Sequence, residues 1–259
     1  MFFSGARVRV LAFFGLLHGV ALIQPGSVRS ATFTVTPIQV FLSAKNPSAL
    51  LTLRNESKEA LRFQFSLFAW DQSPKGEILL TPTDDIVFFP TLVTLAPGEE
   101  RRVRVGATVP VASSEKSYRI FVEELPPLKK SDGPEPGGQV QLLTKMGIPI
   151  FLQPDRRIVE GRVQGMSVRK GALSFQVKNT GNVHFVAEQI RVKGYAPAGD
   201  TIFERQLEGW YILSGRLQTY ELELPKNECF GIGALAVEVQ GAQKAFKERL
   251  EMPPRACSE

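Results

Sequence analysis

Residues 61–70 set Leu61, Phe63, Phe65, Leu67 and Ala69 against Arg62, Gln64, Ser66, Phe68 and Trp70. A two-residue period places one row on each face of an extended strand, and a row that apolar needs a sheet to bury it. The period returns in residues 101–105, where Val103 and Val105 alternate with Arg102 and Arg104. Breakers stand between the periodic stretches: Asn46-Pro47-Ser48, Asn55-Glu56-Ser57, Ser73-Pro74-Lys75-Gly76 and Ala96-Pro97-Gly98-Glu99. Their Pro, Gly and Asn supply the backbone angles that tight turns demand. No sustained helical period appears, because breakers interrupt every long window.

Strands are predicted over residues 31–35, 38–42, 49–54, 61–70, 86–90, 93–95, 101–105, 118–124 and 139–152. Short strands with turn signals between them predict an all-β, immunoglobulin-like sandwich over residues 31–153. Gln153-Pro154-Asp155-Arg156-Arg157 then reads as a short hinge. The pattern resumes at 158–163, 166–170, 172–178, 183–193, 201–207, 218–224, 234–239 and 245–250. This predicts a second β-sandwich over residues 157–259, in tandem with the first.

Arg7 and Arg9 precede an apolar run over residues 10–23, Pro25-Gly26 break it, and Val28-Arg29-Ser30 ends on a small residue. That is the layout of a secretory signal peptide over residues 1–30, cleaved after Ser30. The run of about 14 residues is shorter than the roughly 20 that span a bilayer; an uncleaved anchor is the alternative. Cleavage removes three arginines and no acid, so the exported chain keeps only two of its five excess positive charges. A balance that mild, outside the cytoplasm, argues against nucleic acid as a partner. Cys229 and Cys257 are the only cysteines. In an oxidising compartment an even pair predicts a disulfide, pinning the C-terminal tail to the second half.

Residues that carry chemistry are sparse. His18 leaves with the leader, and His184 has no partner marked by spacing for a triad or a metal site. It reads as a structural or surface histidine. Asp84 and Asp85 are adjacent, so on an extended chain their carboxylates point to opposite faces and cannot share a substrate atom. They read as a solvated turn, and Glu123-Glu124 is the same case. No Walker loop, Rossmann fingerprint or nucleophile elbow is present. The expectation is a protein that is not an enzyme, with no catalytic residue, no metal, no cofactor and no small-molecule substrate. Arg102 and Arg104 read as a solvated face.

One stretch has no use in that scheme. Residues 118–124 form a strand stopped by Pro126-Pro127, and residues 128–138 hold almost nothing to bury, which predicts a flexible loop. Residues 139–152 then alternate. Val140, Leu142, Thr144, Met146, Ile148, Ile150 and Leu152 fall on one face, and Gln139, Gln141, Leu143, Lys145, Gly147, Pro149 and Phe151 on the other. A long strand with an apolar row, beside a loop, can offer that row to another chain. Lys145 is a cation near the domain junction and can receive a carboxylate.

The segments TFTVTPIQVFL, PGEERRVRV, YRIFVEELPP and LLTKMGIPIFLQP resemble the PapD-like periplasmic chaperones of pilus and fimbrial assembly. A basic residue before an IPIF run is similar to the divergent, archaic branch. The resemblance implies a periplasmic, non-enzymatic protein that stabilises a fimbrial subunit by lending it a strand. It further implies an outer-membrane usher as a partner, and an exposed edge strand of this kind leaves self-association of the free chaperone open. The lent row is expected from Val140, Leu142, Thr144 and Met146, with Leu143 in their place if the register differs by one. Ile148, Ile150 and Leu152 are expected in the chaperone's own core. The family pattern also implies an Arg in the first strand that helps grip the subunit's terminal carboxylate. Here Ile38 or Gln39 stands at that position, which leaves Lys145 and Arg119 as anchor candidates. The alternative function is a structural or adhesive subunit of a surface fibre; such a subunit is expected to carry an N-terminal donor extension.

Overall fold

The computed structural model describes residues 29–30, 32–127, 141–241 and 244–257. The leader up to residue 28, the loop expected over residues 128–138, and Val140 lie outside the described residues. The first half contains strands β1 (Arg29–Ser30), β2 (Phe33–Thr36), β3 (Val40–Leu42), β4 (Ser48–Asn55), β5 (Leu61–Gln72) and β6 (Ile78–Pro82). These are followed by β7 (Ile86–Phe89), β8 (Leu92–Leu95), β9 (Glu100–Ala107), β10 (Lys116–Leu125), β11 (Gln141–Leu142) and β12 (Lys145–Leu152).

Two sheets face each other. One runs β2-β4-β9-β7; the other runs β3-β12-β10-β5-β6, with β8 also paired to β5. The alternation seen in the sequence decides which faces meet. Leu61, Phe63, Phe65 and Leu67 of β5 are buried against Leu51 and Leu53 of β4 and Val103 and Val105 of β9, in one core with Ile148, Ile150 and Leu152. Burying each such side chain contributes about 1.5–3 kcal/mol. The chain changes sheets between β2 and β3, at Pro37-Ile38-Gln39, which brings β3 alongside β12.

The second half contains β13 (Gly161–Arg169), β14 (Ala172–Asn179), β15 (Phe185–Tyr195), β16 (Thr201–Leu207), β17 (Tyr211–Ile212), β18 (Leu217–Glu223), a one-turn helix α1 (Lys226–Cys229), β19 (Ala234–Gly241) and β20 (Ala245–Glu251). Its sheets run β13-β14-β18 and β16-β15-β19-β20, with β17 also paired to β15. They enclose a second apolar core. Cys229 and Cys257 are disulfide-bonded, and the Gly171 N–H donates to the Ala256 carbonyl at 2.8 Å, so the tail lies against the body. The chain is therefore two immunoglobulin-like β-sandwiches in tandem. No helix among the described residues is long and apolar enough to cross a membrane.

Three strands escape the sequence reading, and the first of them, β1, falls on the last two residues of the expected leader. β6 is exposed along its whole length, so Ile78-Leu79-Leu80 carries no alternation. β17 has only two residues. Asp85 corrects the reading of Asp84-Asp85 as a solvated turn. Its carboxylate accepts from Lys116 Nζ at 3.0 Å and from the Tyr118 hydroxyl at 2.8 Å.

Candidate functional site

The site is built on β12, and its hydrogen-bond phase follows from two bonds. The Glu124 N–H donates to the Thr144 carbonyl at 2.9 Å, and the Gln153 N–H donates to the Leu42 carbonyl of β3 at 2.8 Å. In an antiparallel pair the backbone groups of alternate residues face the same neighbour. Thr144, Met146, Ile148 and Ile150 therefore turn their backbones to β10, while Lys145, Gly147, Pro149 and Phe151 turn theirs to the opposite edge. Pro149 stands where its missing N–H costs the β10 ladder nothing, the position a strand proline needs. On that opposite edge β3 pairs in parallel with Ile150–Leu152; in a separate two-stranded sheet, β1, the end of the expected leader, pairs in parallel with Gln141–Leu142. Between them, over residues 143–149, no strand of the described residues pairs with the edge.

Side chains follow the same phase. Ile148, Ile150 and Leu152 are buried in the first core, and Met146 packs on its rim. Leu142 and Leu143 are 53% and 45% exposed, and Thr144 is exposed. The row thus runs from buried to open as it approaches the tip. It is not one uninterrupted strand, as the alternation predicts. The ladder breaks at Leu143–Thr144, where the buried Glu124 carboxylate takes the Thr144 N–H at 3.3 Å. A side-chain acceptor has entered the place of a backbone one, and alternation does not register such a substitution.

The two cationic candidates lie apart. Lys145 stands opposite Glu123, and Arg119 opposite Pro149, four residues along the same strand pair. At about 3.3 Å per residue that is roughly 13 Å, so the structure does not bring them together. Lys145 Nζ pairs with Glu123 at 2.8 Å, both half-exposed, and lies 5.3 Å from the Phe121 ring centre. A surface pair of this kind contributes about 0–1 kcal/mol, so it yields readily. The Arg119 guanidinium lies 4.5 Å over the Trp70 ring, and its Nε has no partner among the described residues. Burial lowers its pKa, and the neighbouring Tyr211 opposes that shift. At the first-strand position, Gln39 donates its side-chain amide to the Tyr211 hydroxyl, while Ile38 is exposed.

The outward face of β12 also ties the two sandwiches together, through residues that the sequence reading did not join. Phe151 is fully buried, with its ring against His184, Trp70 and Tyr211. The Glu115 carboxylate accepts from the His184 backbone N–H at 3.0 Å and from Gln153 Nε2 at 3.1 Å, and its Oε1 lies 2.7 Å from His184 Nδ1. Arg216 pairs with Asp71 at 2.6 Å, and the Thr219 N–H donates to the Pro74 carbonyl at 2.8 Å. His184 is thus a structural residue of the junction. No cluster of three His, Cys, Asp or Glu side chains that could hold a metal ion exists among the described residues.

Residues 32–157 match the family described as pili and flagellar-assembly chaperone, PapD N-terminal domain. The solved structures that share the fold include the following three. The CsuC–CsuE chaperone–tip adhesion subunit pre-assembly complex from archaic chaperone-usher Csu pili of Acinetobacter baumannii matches at 18% identity and a TM-score of 0.57, over 86% of this chain and 98% of that one. The Salmonella enterica SafA pilin in complex with the SafB chaperone matches at 18% and 0.53, over 87% and 99%. The E. coli chaperone DraB matches at 19% and 0.51, over 87% and 100%. No curated protein sequence matches the chain.

Proposed function

This chain is PapD-like, its first sandwich belonging to the pili and flagellar-assembly chaperone family, and on that premise we propose that it works in the periplasm, holding an exported fimbrial subunit by donor-strand complementation. The observation that carries this reading is the bare edge of β12 over residues 143–149, beside an apolar row that opens towards the tip at Thr144 and Leu142. A subunit short of one strand has a groove and unpaired backbone groups. An alternating edge strand supplies both needs at once: backbone bonds for affinity and side chains for the groove. Leu142 and Met146 enter it first, with Thr144 between them. Val140 extends the row, and Leu143 takes part if the register shifts by one. Full burial of an aliphatic side chain contributes about 1.5–3 kcal/mol, from which the cost of ordering the tip is subtracted. Lys145, at the tip, meets a subunit carboxylate better than Arg119, which is held over Trp70.

Nothing in this action consumes a cofactor. Release of the subunit follows when a competing strand takes its groove, and an outer-membrane usher is the natural place for that exchange. The test is co-expression with the candidate fimbrial subunits of the same organism. A one-to-one complex recovered from the periplasm, and subunit degraded or aggregated without this chain, is the expected result. Recovery of the chain inside purified surface fibres, with no such complex, overturns the reading in favour of a fibre subunit.

A further inference from the structure

Resting on the chaperone reading, we propose that Pro149 is a stop that fixes how far a docked subunit strand runs along β12. The edge facing the subunit exposes the backbone N–H groups of Lys145 and Gly147, by the phase that the Glu124–Thr144 and Gln153–Leu42 bonds set. The next outward position is Pro149, which offers no N–H. One residue further, at Ile150, β3 already occupies the edge. A partner strand therefore pairs as far as Gly147 and ends there. Residue 147 is itself suited to close backbone approach: a Cβ there would meet Phe121 Cε1 at 3.0 Å, so the Phe121 ring fills that space and no side chain of β12 rises beside it. The partner is a short extended segment of an exported subunit. Its register is set by a missing hydrogen bond rather than by side-chain fit alone.

Amide hydrogen exchange tests this, first on the free chain and then on the purified one-to-one complex with the fimbrial subunit recovered by co-expression. In the free chain, Lys145 and Gly147 are expected to exchange fast, and Met146 and Ile148, bonded to β10, slowly. In the complex, Lys145 and Gly147 slow at least tenfold. Pro149→Ala restores a donor at the stop. The amide at position 149 of this variant is expected to be protected in the complex, and the subunit to leave about fivefold more slowly, the equivalent of one backbone bond at about 1 kcal/mol. Protection of Lys145 and Gly147 in the free monomer, their lack of protection in the complex, or an unprotected amide at position 149 of P149A with an unchanged off-rate each overturn the stop and leave the chaperone reading standing. Failure to form any complex overturns both.

Discussion

Phe151 and His184 stack ring on ring, their centroids 3.7 Å apart and their planes 18° from parallel. One belongs to the outward face of β12 and the other to the second sandwich, so the strand that carries the site is fastened at its base to both halves. Removing the ring leaves a void among Trp70, Tyr211 and Leu213. Phe151→Ala is expected to cost about 3–5 kcal/mol, read by urea unfolding, and to loosen β12 enough to weaken subunit capture. A loss below about 1 kcal/mol shows that the junction does not hold the strand.

The Glu115 carboxylate, fully enclosed, accepts the His184 backbone N–H and the Gln153 amide beside the His184 ring. Glu115→Ala leaves these donors without an acceptor inside the junction, at about 1–3 kcal/mol for each buried group. Glu115→Gln keeps an acceptor and a similar volume, so it should cost less than half as much. Equal losses in the two variants, measured by denaturant unfolding, show that the junction needs the charged carboxylate rather than a neutral acceptor of the same volume.

Asp85 should give the first sandwich an acid limit. Hydrogen bonds from Lys116 and then Tyr118 hold its carboxyl below the ordinary aspartate value. A group depressed in the fold stabilises above its unfolded pKa, near 4, and that contribution is lost as pH falls through the folded value. The melting temperature of the native chain should therefore fall, as pH drops below about 4, more steeply than that of Asp85→Asn. Parallel curves remove Asp85 from the acid response.

The sandwiches were legible in the sequence because one face of each long strand is buried, and burial on one face is what a two-residue period encodes. Leu61 to Leu67 and Ile148 to Leu152 are the clearest cases. The hydrogen-bond phase of β12, and with it the orientation of Pro149, came only with the Glu124–Thr144 and Gln153–Leu42 bonds of the fold. What the sequence hid was contact made between elements distant along the chain. Trp70 lies on the outward face of β5, where an apolar residue looks out of place until the second sandwich covers it. His184 and Glu115 are 69 residues apart, and neither spacing nor composition joins them. Nor does alternation reveal that the Glu124 side chain enters the ladder at Thr144: Glu123-Glu124 reads as a solvated turn, whereas Glu124 is buried in β10.

The Cys229–Cys257 bridge closes a loop with a sequence separation of 28 residues and holds the tail against the second core. Closing a loop of that size stabilises the fold by about 3.5 kcal/mol. The double variant Cys229→Ser, Cys257→Ser should lower stability by that order under oxidising conditions. The native chain in reductant should match it. If the two differ by more than about 1 kcal/mol, the serines themselves disturb the packing.

Charge at the tip separates the site from the fold. Leu142 is 53% exposed, so Leu142→Glu should leave the unfolding midpoint of the free chain within about 0.5 kcal/mol of the native value. In the complex the same carboxylate would enter an apolar groove without a partner, a burial that costs several kcal/mol, and the periplasmic complex should be lost. Met146 touches the first core, so Met146→Glu should lower both stability and capture and cannot tell the two apart. Lys145 answers a narrower question. Its pair with Glu123 is exposed, so Lys145→Ala should leave the fold unchanged. If Lys145 receives the subunit's carboxylate, affinity should drop about tenfold, the 1.4 kcal/mol of one charge-assisted bond. Unchanged affinity in a titration of the purified subunit complex would leave β12 gripping its partner by backbone and apolar row alone.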